Sequence, residues 1–155
     1  MIYSLDEFEK FDKMKSKVLK YVIYKKRTEQ EIRKKFEKEF DENILNDIIE
    51  ELKENKYIDD FNYIERAVNE FVNLKSLSIK EIKYKLYSKE IKSNLIDDYI
   101  SANIDELKEY EVKSAYKIIN KKLNSMETED IKLYLLRKGY CEDNIRQALD
   151  EISWN

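Results

Sequence analysis

The sequence predicts an all-α protein, built as three tandem repeats of a three-helix unit that form an elongated, curved array. Three observations lead there. The 155 residues include no proline and one glycine, Gly139, which leaves little material for hairpin turns, Gly-rich phosphate loops or a β-sandwich. Apolar residues recur at a fixed interval: Ile32, Ile82 and Ile131 stand 50 and 49 residues apart, and Leu45, Ile96 and Ile145 stand 51 and 49 apart. Thr28 with Glu31, and Ser78 with Glu81, open two of the segments as capping boxes. In such a box the hydroxyl and the carboxylate each satisfy a backbone N–H that the first helical turn leaves unpaired.

Residues 1–15 read as an amphipathic lead-in through Leu5, Phe8 and Phe11. Repeat 1 (16–58) follows, with Val18 and Val22 on its first helix, Ile32 and Phe36 on its second, and Leu45, Ile49 and Leu52 on its third. Spacings of three and four residues put each set on one helix face. Repeat 2 (59–104) starts with Asp59 or Asp60 as a cap, Ile58 and Tyr63 being placed for a hydrophobic staple. Its buried faces run through Ala67, Val68, Phe71 and Val72, then Ile82 and Leu86, then Ile96 and Ile100. Repeat 3 (105–155) has Asp105 as the analogous cap and a longer first helix carrying Ala115, Ile118 and Ile119, which ends near Asn124 and Ser125. Glu127 or Thr128 caps its middle helix, with Ile131 and Leu135, and Ile145, Leu149 and Ile152 follow. A unit of about 50 residues buries too little surface to be stable alone, so neighbours are expected to share a core.

The net charge of −3 conceals an alternation. Residues 10–38 hold twelve Lys/Arg against four Asp/Glu, and residues 39–70 hold three against eleven. The pattern repeats more weakly, six against two over 75–92 and one against six over 97–111. Residues 112–138 hold seven against three, and 139–155 one against four. If the repeats stack in register, basic residues collect into a stripe able to meet an anionic partner surface or a phosphate backbone; a solvated face explains any single charge about as well. Arg33, Lys83 and Lys132 share one repeat position, just after the buried isoleucine. With Arg27, Lys34, Lys80 and Arg137 they are the candidate partner-binding residues.

Much chemistry is excluded. Without histidine the commonest general base and metal ligand is gone, and one cysteine, Cys141, forms neither a zinc cluster nor an internal disulfide. One glycine permits no Walker or dinucleotide-binding loop. Asp59/Asp60 and Asp97/Asp98 are carboxylate pairs, but neighbours on a helix diverge by about 100°. The expectation is a protein that is not an enzyme and carries no metal or cofactor. No stretch approaches the ~18–20 apolar residues of a membrane span, and the first residues lack a signal-peptide core, so the expected setting is the cytoplasm. Tyr84, Tyr87 and Tyr134 lie off the apolar stripes and serve either as packing between repeats or as stacking platforms for bases.

The order of these motifs resembles the RecX family. Lys26–Phe36 (KRTEQEIRKKF) resembles the family's first repeat, and Glu50–Val72 its acidic helix end, apolar pair, two aspartates and Phe-bearing helix. Ser78–Ile91 and Leu135–Leu149 are similar to its later repeats, and the likeness spans roughly residues 16–153. Departures are Glu90 where the family usually has glycine, Lys75-Ser76-Leu77 in place of a Gly-containing basic turn, and an acidic balance overall. The resemblance implies a modulator, usually an inhibitor, of the RecA recombinase. Such a protein lies in the groove of the RecA–DNA filament and lowers its ATPase, strand-exchange and coprotease activities. An array of modest contacts to successive protomers suits that role by avidity. The expected partner is the RecA filament, with single- or double-stranded DNA as a further one, and the protein is expected to be a monomer. A helical nucleic-acid-binding protein, or an adaptor unrelated to RecA, is the alternative.

Overall fold

The structure is a computed structural model in which residues 4–153 are described. These form nine helices and no strand: α1 Leu5–Tyr24, α2 Glu29–Phe36, α3 Glu42–Glu54, α4 Asp60–Leu74, α5 Ile79–Tyr87, α6 Ser93–Ala102, α7 Ile104–Lys122, α8 Thr128–Lys138 and α9 Glu142–Ser153. They are three successive triplets, and two compact units are distinguishable. Unit 1 is Met1–Tyr63 with Lys89–Ile91, and unit 2 is Ile64–Ser88 with Lys92–Asn155.

In unit 1, α1 starts on a capping box, Ser4 with Glu7, that the apolar pattern did not reveal. It then runs unbroken to Tyr24, so the lead-in and the first repeat helix are one element. Thr28 and Glu31 cap α2 as expected. The core gathers Val18, Val22, Ile32, Phe36, Phe40, Leu45, Ile49 and Leu52 with Ile48 and Ile58. Phe36 stacks on Phe40 with ring centroids 5.2 Å apart and takes the edge of Tyr21 at 5.5 Å. The two neighbouring aspartates divide their work. Asp59 accepts from the N–H of Asn62 at 3.1 Å and caps α4, while Asp60 accepts from the N–H of Glu29 at 2.9 Å, at the start of α2.

Unit 2 contains the corresponding middle helices. Ser78 and Glu81 cap α5, and Ile82, Leu86, Ile131 and Leu135 are all within 1% of complete burial. Val112, Ala115, Ile119, Tyr140, Ile145 and Ala148 pack with Ile131 and Leu135. Two caps differ from expectation. α7 begins one residue before Asp105, which therefore sits in the first turn, where its charge favours the helix dipole without capping it. Glu127 is the N-cap of α8 but makes no side-chain capping bond.

A joint recurs between successive repeats, once within each unit. In unit 2 the Ser78 hydroxyl donates to the carbonyl of Lys138 at 2.8 Å, Lys138 Nζ lies 3.7 Å from Glu81, and Glu111 accepts from the N–H of Ile79 at 2.9 Å. Unit 1 has the same parts: Thr28 with the carbonyl of Lys89 at 3.5 Å, Lys89 with Glu31 at 3.8 Å, and Asp60 in the place of Glu111. A capping box thus does two things. It closes its own helix, and its hydroxyl proton grips the turn that ends the next repeat's middle helix.

That turn needs a left-handed residue after the lysine. Gly139 supplies it at φ +98° and Glu90 at φ 58°. A side chain in this region costs about 1–2 kcal/mol. Glu90 also pairs with Lys34, both side chains about half exposed, and such a pair contributes little. Glu90→Gly is therefore expected to stabilise the fold by roughly 0.5–1 kcal/mol, read as a higher urea midpoint at an unchanged slope.

Burial raises the pKa of Tyr63, Tyr99, Tyr110 and Tyr140 above the usual tyrosine value, most strongly for Tyr140. Each phenol then holds its proton more tightly folded than unfolded. Its contribution is complete below the unfolded value near 10 and is lost as pH climbs through the folded value. The expected result is alkaline unfolding beginning at about pH 10, with a shallower decline in Tyr140→Phe, followed by circular dichroism against pH. An unaltered profile in that variant would contradict the assignment.

Candidate partner-binding surface

The seven predicted residues separate by what they already hold. In unit 1, the Arg27 guanidinium lies 4.0 Å over the Tyr21 ring, with its Nε buried and lacking a hydrogen-bond partner. Arg33 donates to Glu29 at 3.1 Å and to Asn46 of α3 at 2.5 Å. Glu29 also binds Lys53. Burial opposes the Glu29 charge, but the Lys53 and Arg33 bonds outweigh it, so its pKa falls below the ordinary carboxylate value. Lys34 is exposed and paired with Glu90.

In unit 2, Lys83 lies 3.7 Å from Asp97 of α6, and Lys132 lies 3.7 Å from Glu142 of α9. The position shared by Arg33, Lys83 and Lys132 therefore ties each middle helix to its own third helix, with all three side chains about one-third exposed. Recurrence at that position has a structural cause, which periodicity alone could not separate from a binding stripe. Lys80 and Arg137 differ: both are exposed, and neither has an ion pair among the described residues.

These two free cations border one groove of about 590 Å³, lined also by Glu81, Tyr84, Lys85, Ser88, Lys138 and Gly139. Glu81, its one carboxylate, already accepts from the N–H of Ser78 in the capping box and faces Lys138. Tyr84 is 74% exposed, so packing between repeats does not explain it. Tyr87 donates to Asp97 at 2.6 Å, and Tyr134 carries Lys122 at 4.3 Å from its ring centre.

A second groove of about 410 Å³ shares Lys138 and is lined by Ser76, Ile118, Lys121, Lys122, Ser125 and Tyr134, with no carboxylate. Sequence reasoning did not single out Lys85, Lys121, Lys122 or Lys138. The surpluses of basic residues over 75–92 and 112–138 signalled them collectively, but only the packing of α5, α7 and α8 puts them on one surface.

The Gly139 turn is what lets this surface form. A Cβ there would stand 2.9 Å from Lys80 Cβ and 3.3 Å from Ser78 Oγ. Behind it Glu111 is 1% exposed and accepts from the N–H groups of Ile79 and Cys141 and from the Asn144 amide. Cys141, exposed, precedes α9. Among the described residues no group of three or more His, Cys, Asp or Glu could hold a metal ion, and no helix is long and apolar enough to cross a membrane.

Three helical triplets joined through capping boxes, with a basic surface across the last two, define the class: an all-helical protein of three-helix repeats. No protein-family model matches the chain, but individual proteins do. It is 34% identical over 148 residues to regulatory protein RecX of Clostridium acetobutylicum, covering 89% of this chain and 68% of that one. It is 33% identical over 159 residues to the RecX of Clostridium beijerinckii, covering 96% and 72%. The crystal structure of RecX from Lactobacillus salivarius superposes with a TM-score of 0.80 at 28% identity, over 95% of this chain and 99% of that one. A second crystal structure, of a regulatory protein RecX, gives 0.77 at 21% identity over 97% and 81%, which bears on the fold alone. The chain belongs to the RecX family of regulatory proteins.

Proposed function

We propose that this protein binds the RecA filament assembled on DNA and lowers RecA's ATPase, strand-exchange and coprotease activities, working in the cytoplasm as a monomer and without a reaction of its own. The observation that carries this reading is membership of the RecX family over nearly the whole chain. The composition is compatible with it, since a chain without histidine cannot form the Ser–His or Cys–His pairs of common hydrolytic sites. Arg27, Arg33, Lys34, Lys80, Lys83, Lys132 and Arg137 remain the proposed contacts, and Lys80 and Arg137 lead because they are free to exchange water for a partner.

The test is RecA ATPase on single-stranded DNA with and without the protein. The expected result is a dose-dependent fall in rate. An unchanged rate at saturating protein rejects the reading, as does turnover of any substrate by the protein alone. Charge reversal at Arg33, Lys83 and Lys132 would break three helix-to-helix ties, the bond from Arg33 to Asn46 and the ion pairs of the two lysines. Their effect on inhibition has meaning only beside a stability measurement. Lys80→Glu with Arg137→Glu breaks no ion pair among the described residues.

A further inference from the structure

The two basic grooves of unit 2 meet at Lys138. Together they present Lys80, Lys85, Lys121, Lys122, Arg137 and Lys138 against Glu81 alone. We infer that they form one docking track for an extended acidic segment of a partner protein, with Arg137 and Lys80 taking its carboxylates and the Tyr84 ring taking an apolar or aromatic side chain between them. The track deepens the proposed function by specifying the partner surface, and it rests on that reading only for the partner's identity.

Four observations favour a short acidic peptide. Arg137 is an unpaired guanidinium, whose planar fork matches a carboxylate through two parallel hydrogen bonds. Glu81 is occupied by its own capping box and by Lys138, so it opposes an incoming carboxylate less than a free acid would. Tyr84 stands 74% exposed between Lys80 and Lys85, giving an apolar surface among cations whose aliphatic stems extend it. The fourth concerns charge. The chain as a whole is net acidic, so a long polyanion attracted by the grooves would also meet the acidic remainder. A segment with a few carboxylates spans little more than a Debye length of about 8–10 Å and responds mainly to the local cations. Ser76 adds a hydroxyl along the track, whereas the Ser88 and Ser125 hydroxyls already donate to the carbonyls of Lys85 and Lys122.

The experiment needs no RecA. A short fluorescent peptide, rich in Glu with one central Phe, is titrated with the full chain by anisotropy. A scrambled-charge peptide with Lys in place of Glu, and a single-stranded oligothymidylate of similar length, are run beside it. The Glu peptide is expected to bind, and Lys80→Glu with Arg137→Glu to weaken it about tenfold. Tyr84→Ala should weaken the Phe-bearing peptide by a few-fold, with no loss for a peptide whose Phe is replaced by Ser. Lys20→Glu, an exposed charge in unit 1, should change binding little. Equal loss in Lys20→Glu would overturn the proposal, as would tighter, groove-dependent binding of the oligonucleotide than of the peptide. Circular dichroism of each variant separates lost binding from lost fold. If the peptide binds the track but RecA ATPase is unaffected, the docking site stands and the RecA reading fails; an effect on RecA with no peptide binding gives the reverse.

Discussion

Glu111→Leu is expected to destabilise the protein by about 3–5 kcal/mol, because three neutral donors lose one shared acceptor. The carboxylate is 1% exposed and accepts from the first N–H of α5, from the N–H that precedes α9 and from the Asn144 amide. Leucine fills a similar volume but leaves three donors facing hydrocarbon, and each unsatisfied buried donor costs about 1–3 kcal/mol. Glu111→Gln keeps one acceptor oxygen and turns an NH2 toward the donors on the other side, so an intermediate loss is expected. Asp60→Ala, at the equivalent joint in unit 1, removes a single acceptor and should cost only about 1 kcal/mol. Burial already raises the Asp60 pKa, which reduces what its charge contributes at neutral pH. Urea denaturation of the three variants checks the order. Glu111→Leu within 1 kcal/mol of the native protein would mean that water, and not this carboxylate, supports the joint.

The second large effect belongs to Gly139→Ala, for which a loss of about 2–4 kcal/mol is expected from two sources. An L side chain at φ +98° lies outside the left-handed well and costs about 1–2 kcal/mol. The added Cβ would also stand 2.9 Å from Lys80 Cβ. That neighbour is anchored to the backbone of α5, so it cannot swing away as a flexible end would, and overpacking of this kind costs about 1–3 kcal/mol. The same shift would move Lys80 and loosen the Ser78 grip on the Lys138 carbonyl. Partner binding should therefore weaken even where the variant remains folded. A thermal midpoint unchanged within a degree or two would rule out the close approach. The contrast with Glu90→Gly is informative: the same turn tolerates a charged side chain in unit 1, at φ 58°, and does not tolerate a methyl group in unit 2.

Much of the architecture was readable from residues alone, and the reasons are local. Ile32, Ile82 and Ile131 are all fully buried on middle helices because a helical stripe and a cap are written in spacings of three and four. The capping boxes at Thr28 and Ser78 were legible for the same reason. Ile48, Ile64 and Val112 were missed as core residues because each lies one turn from residues that already satisfied the pattern. The candidate surface was harder to read. Arg33, Lys83 and Lys132 looked like a stripe, and each is tied to the third helix of its own repeat. Charge is visible in sequence, but whether a charge is free depends on what faces it.

By itself the sequence determined the all-helical class, the triple repeat, the capping boxes and the absence of histidine and zinc-cluster chemistry. These follow from composition and from periodicities that act over a single helical turn. Only the tertiary structure decided that Ser78 and Glu111 serve a neighbouring repeat, that Gly139 must be small, and that Lys80, Lys138 and Arg137 border one groove. Those facts depend on contacts between residues 30 to 60 positions apart in the chain, which neither hydropathy nor helical period encodes. Partnership between distant side chains arises when helices pack.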